Sequence, residues 1–72
     1  MKNKLIFIYF SRWKKIFFGT FKYSRNRITE KDMSCLIEWL ENPTGKFQVN
    51  TIQGKIYNIY ASNILYTEIR DQ

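Results

Sequence analysis

Apolar and polar positions divide the chain into six segments separated by short polar breaks. Lys4 to Phe10 is β-branched and aromatic almost throughout, the composition of a strand buried on both faces. Residues 14–23 read as a second strand, with Ile16 and Phe18 on one face and Phe17, Phe21 and Tyr23 on the other. Gly19 falls inside it, and a glycine inside a strand marks a bulge or the close approach of another backbone. Ser11, Arg12 and Trp13 form the turn of a hairpin between the two. Residues 29–41 change period: Met33, Leu36, Ile37 and Leu40 fall at i, i+3, i+4 and i+7, the core stripe of a helix. Thr29 is its N-cap and Asp32 completes a capping-box pattern, with Ile28 and Met33 placed as a hydrophobic staple. Pro43 stops the helix, because the residue before proline leaves the helical region. Phe47, Val49 and Thr51 then alternate with Gln48 and Asn50, Lys55–Tyr60 is a further strand, and Ile64–Ile69 is the last.

The order is β-β-α-β-β-β, which predicts an α+β domain: an antiparallel sheet with one packed helix. One domain spans 1–72, made of a basic hairpin (4–23), the helix (29–41) and a three-strand part (46–69). Ile6, Phe10, Trp13, Phe17 and Phe21 also recur at helical spacing, and with the interleaved lysines would suit a membrane-surface helix. The β-branched content and Gly19 favour strands. The apolar run Leu5–Phe10 is far short of the ~20 residues of a spanning helix, so no membrane partner is expected.

The chain has 72 residues, one cysteine and no histidine. A domain of this size buries only about 60% of its unfolded surface and usually needs a staple. One cysteine allows no internal disulfide. Without histidine, ordinary zinc sites and Ser-His or Cys-His pairs are excluded. No cofactor, no metal and no enzymatic activity are expected; a partner is the remaining staple, and a homodimer is expected on that ground. Cys35 reads as a small buried or half-buried helical residue, compatible with a reducing cytoplasm.

Charge separates the chain into two parts. Residues 1–27 carry eight of the twelve cations and no acid, whereas all six acids lie in residues 28–72. Such asymmetry points to an anionic partner for the first part. Eight of the thirteen aromatic residues lie between Phe7 and Tyr23. Cations interleaved with aromatics suit single-stranded nucleic acid, since rings stack on bases and cations hold phosphates. Arg12, Trp13, Lys14, Lys15, Lys22, Arg25 and Arg27 are the candidates, with Trp13 or Tyr23 stacking. The plain alternative is that these rings fill the core and the cations are a solvated rim.

The helix offers a different face. Cys35 and Trp39, at i and i+4, point away from the core stripe, with Asp32 beside them. Trp39 is a candidate interface anchor, or else folds onto Pro43 or a sheet edge. Glu30, Asp32, Glu38 and Glu41 make the flank acidic, which would suit a basic protein target and is otherwise a solvated flank.

The runs Lys4-Leu5-Ile6-Phe7-Ile8-Tyr9, Ile37-Glu38-Trp39-Leu40 and Gly54-Lys55-Ile56-Tyr57, in a chain rich in Lys, Asn, Ile and Tyr, resemble small early host-takeover proteins of bacteriophages that infect low-GC Gram-positive bacteria. Among these the chain looks most like phage inhibitors of the replicative sliding clamp. The resemblance implies a cytoplasmic homodimer that binds a host replication or transcription protein and blocks its access to DNA. Glu30, Asp32, Cys35, Glu38, Trp39 and Glu41 would then meet the partner. The net charge of +6 departs from a DNA-imitating channel blocker, which would be acidic. Gln48-Val49-Asn50-Thr51-Ile52 lacks the terminal aromatic pair of a clamp-binding glutamine motif and reads as strand. The alternative to an inhibitor is a small nucleic-acid-binding protein.

Overall fold

The computed structural model describes residues 3–71, and for Trp13 the backbone alone. The elements are β1 (Lys4–Phe10), a 3-10 turn (Ser11–Trp13), β2 (Lys15–Gly19), α1 (Glu30–Glu41), β3 (Lys46–Asn50), β4 (Ile56–Tyr60), a second 3-10 turn (Ala61–Asn63) and β5 (Ile64–Asp71). The α+β class and the order β-β-α-β-β-β are as the pattern predicts. No described helix is long and apolar enough to cross a membrane.

The strands form two antiparallel sheets rather than one. β2, β1 and β5 pair in that order, and β3 pairs with β4 alone. The three-strand C-terminal part is therefore divided: its last strand leaves β4 and closes on β1, from Lys4 opposite Asp71 to Phe10 opposite Ile64. The reason is burial. β1 carries the most apolar run of the chain, and it becomes the central strand, with Leu5, Ile6 and Ile8 all buried.

β2 ends at Gly19, four residues before the predicted end at Tyr23. Past Gly19 the chain doubles back, and the Gly19 amide donates to the Asn26 carbonyl while Ile28 donates to Gly19, at 3.1 and 2.9 Å. Of the two meanings a strand glycine can carry, close backbone approach is the one realised. A Cβ on Gly19 would collide with Ser24 Oγ and lie 2.9 Å from Leu5 Cδ2. Phe21 and Tyr23 consequently belong to a turn, and Tyr23 is 84% exposed.

α1 begins as its cap residues dictate. Thr29 Oγ1 accepts from the Asp32 amide at 3.1 Å, and the staple residues Ile28 and Met33 are both buried. The helix ends at Asn42, whose φ of −149° precedes Pro43. Met33 and Leu36 meet Ile6, Ile8, Phe18, Ile28, Val49 and Ile59 in one cluster. The core lies where the inner face of the three-stranded sheet, the helix and the inner face of the β3–β4 hairpin converge. One buried polar group crosses it: Asn26 donates from Nδ2 to the Phe17 carbonyl at 2.9 Å and accepts at Oδ1 from the Tyr57 hydroxyl at 2.9 Å.

Two substitutions test this packing. Gly19→Ala should lower stability by about 1–3 kcal/mol through overpacking. Leu36→Ala should cost about 2–5 kcal/mol through loss of buried volume. Both are read from urea denaturation midpoints. A Gly19→Ala variant as stable as the parent would show that the loop does not press on Gly19.

Candidate nucleic-acid interface

The three-stranded sheet has a second face, turned away from the core. Strand alternation places Leu5, Phe7 and Tyr9 of β1, Lys15 and Phe17 of β2, and Tyr66, Glu68 and Arg70 of β5 on it. Across its first row run Lys15, Tyr9 and Tyr66. The two tyrosine rings stack at 4.3 Å with 14° between their planes, and the Lys15 ammonium lies 5.9 Å from the Tyr9 centroid. The Tyr9 ring is thus held between a cation and a second ring. Tyr66 stands at the outer end of the stack and is 57% exposed. In the next row Phe7 meets Phe17 at 5.6 Å, and the Arg70 guanidinium lies 4.9 Å over Phe7. Such pairs are each worth about 0.5–1.5 kcal/mol beyond their buried area, so the rings hold a fixed arrangement.

Cations collect at the Tyr9–Tyr66 end. The turn between β1 and β2 carries Arg12 and leads into Lys14 and Lys15, all exposed. Tyr9, Arg12, Lys14, Lys15, Leu65 and Tyr66 line one shallow concavity. Arg12 has φ of 67°, in the left-handed region, which costs a residue with a Cβ roughly 1–2 kcal/mol relative to right-handed backbone. A bulge shapes the other wall. Tyr9 pairs with Tyr66 but Phe10 pairs with Ile64, so Leu65 is the extra residue and is 65% exposed.

The six basic residues among the candidates are therefore not brought to one place. Arg12, Lys14 and Lys15 are gathered at the hairpin turn. Lys22 and Arg25 are exposed on the turn at the opposite end of β1, where the Lys22 ammonium lies 5.6 Å from the Tyr23 ring. Arg27 is half-buried and serves the fold: its amide donates to Gln53 Oε1 at 3.1 Å and its carbonyl accepts from Ile52 at 2.7 Å. Tyr23 lies on the same turn as Lys22, at the far end of β1 from the Tyr9–Tyr66 stack. The Trp13 side chain lies outside the described residues. Tyr9 and Tyr66, absent from the sequence candidates, are the rings that meet the cations. They are 57 positions apart, and nothing local to either marks the other.

The helix candidates are placed differently again. Glu30, Glu38 and Glu41 are exposed, and Asp32 is half-buried. Cys35 is exposed rather than buried or half-buried as its residue type suggests, because Met33 and Leu36 occupy the buried stripe of the helix. Trp39 is not a free anchor. Its ring packs on Phe47 at 5.3 Å, and its Nε1 donates to the Thr44 carbonyl at 3.0 Å. It has left Cys35 and folded toward β3, as the local-cover reading has it. Among the described residues no three His, Cys, Asp or Glu side chains are grouped as metal ligands.

No protein-family model matches the chain, and no curated protein or solved structure does.

Arg12→Gly should relieve the left-handed strain while removing a cation. Its thermal midpoint should equal or exceed that of the parent, because glycine adopts this φ without a Cβ clash. A clear drop in midpoint would show that the Arg12 side chain is needed for folding.

Proposed function

We propose that the chain is a non-catalytic binding protein for single-stranded nucleic acid. The observation that carries this reading is the Lys15–Tyr9–Tyr66 row with Arg12 and Lys14 beside it. Tyr66 offers an open ring face at the end of an existing stack, where a base adds the next layer. The cations stand where the phosphates of a stacked strand would run, and base stacking tolerates any sequence. The +6 charge, which sits poorly with imitation of DNA, suits attraction to it.

Fluorescence anisotropy with a labelled oligothymidylate tests this. Binding should weaken steeply between low and moderate salt, because each neutralised phosphate releases counterions. Tyr66→Ala should weaken it by about 5- to 150-fold, the value of about 1–3 kcal/mol per stacked base. The double substitution Lys14→Gln, Lys15→Gln should flatten the salt dependence. Salt-independent binding, or binding indifferent to all three residues, would overturn the reading.

A second reading takes the exposed acids of α1 as its support. Here the chain is a phage inhibitor acting in the host cytoplasm on a replication or transcription protein, with the sliding clamp as the specific target. Glu30, Glu38 and Glu41 would contact it, without Trp39. Titration of a purified bacterial clamp should then show binding that Glu38→Lys weakens at least tenfold. No binding, or binding unchanged by Glu38→Lys, removes this reading.

A further inference from the structure

β5 is an edge strand. The three-stranded sheet ends at it, and among the described residues no backbone hydrogen bond reaches its outer side. It is eight residues long and exposes Ile69 at 45%. An open edge of this length is a template for another strand.

We propose that a second copy of this chain pairs antiparallel along β5, with Ile69 on the two-fold axis. The register follows from the strand itself. A two-fold normal to the sheet places residues of equal parity opposite one another, so the axis must fall on a residue. The bulge at Leu65 breaks the pleat, which leaves 66–71 as the regular stretch and puts the axis on Glu68 or Ile69. An axis at Glu68 would bring two like charges face to face, which is destabilising. An axis at Ile69 sets Glu68 opposite Arg70 of the second copy, twice, and closes the exposed isoleucine against its own copy. The Glu68–Arg70 ion pair made within each chain would be exchanged one for one, two internal pairs becoming two between chains.

The result is a six-stranded sheet with both Tyr9–Tyr66 stacks on one face. Tyr66 lies at the margin of the paired stretch, three positions from the axis. This deepens the nucleic-acid reading and in that respect rests on it: a longer strand could engage both sites, and linked sites raise avidity without new contacts.

Pairing is tested without nucleic acid, by sedimentation equilibrium. The parent should pass from monomer to dimer as concentration rises. Glu68→Arg and Arg70→Glu should each remain monomeric, since each places like charges across the axis. An equimolar mixture of the two variants should dimerise, because opposite charges again meet. A parent that stays monomeric, or a mixture that stays monomeric, overturns the proposal. So do single variants that associate as the parent does. As a second measurement independent of charge, Ile69→Cys in a Cys35→Ser background should oxidise to a covalent dimer, since paired strand residues lie within disulfide reach; failure to cross-link is evidence against this axis. Loss of oligothymidylate binding with dimerisation intact would sink the nucleic-acid reading alone. A parent that binds a short oligothymidylate yet stays monomeric at all concentrations would sink the pairing alone.

Discussion

The path of the chain turns on one contact, between Gly19 and the segment that returns past it. Because Gly19 has no side chain, Ser24 and Leu5 fit against it, and its backbone bonds both Asn26 and Ile28. This brings Asn26 inside, where its carboxamide ties β2 to Tyr57 of β4. A buried carboxamide without partners would be costly; satisfied on both sides, it specifies a single arrangement of neighbours. Ile28 follows directly into the core and Thr29 opens the helix. The placement of α1 and of the β3–β4 hairpin over the first sheet thus descends from one residue that lacks a Cβ.

The two faces of the first sheet have different fates for the same reason. Among the described residues, α1 and the β3–β4 hairpin are the elements that cover apolar surface of this sheet, and both lie on the inner face. The outer face keeps its aromatic side chains and covers them with one another and with cation stems. What looks like surplus hydrophobicity in so small a domain is thereby a semi-polar platform. Its charge comes from the hairpin turn, not from the whole basic half of the chain.

Much of this was legible in the residues and some was not. α1 was readable from the Met33, Leu36, Ile37 and Leu40 spacing and from Thr29, because helix signals are local. The β1–β2 hairpin was readable for the same reason. The split into two sheets was not, since the choice of β1 rather than β4 as partner for β5 depends on which strand must be covered. Trp39 was ambiguous until Phe47 and Thr44 were placed beside it, because helical periodicity leaves open whether a long side chain off the core stripe stays free or folds onto local cover. The basic residues were visible as a set, but which of them act together depends on the two ends of β1. Tyr66 joins Tyr9 only through pairing of distant strands, a relation that no spacing within either segment encodes.

The position of β1 has a consequence for how the molecule forms. Its partner on one side, β2, lies next to it in the chain, and the hairpin closes a short loop. Its partner on the other side, β5, is the final strand of this chain, and closing that loop carries the entropy of nearly the full length. Topologies dominated by such distant pairings fold slowly. Until β5 arrives, the most apolar strand of the protein has an open side. The step that completes the sheet is therefore also the step that ends its exposure to aggregation.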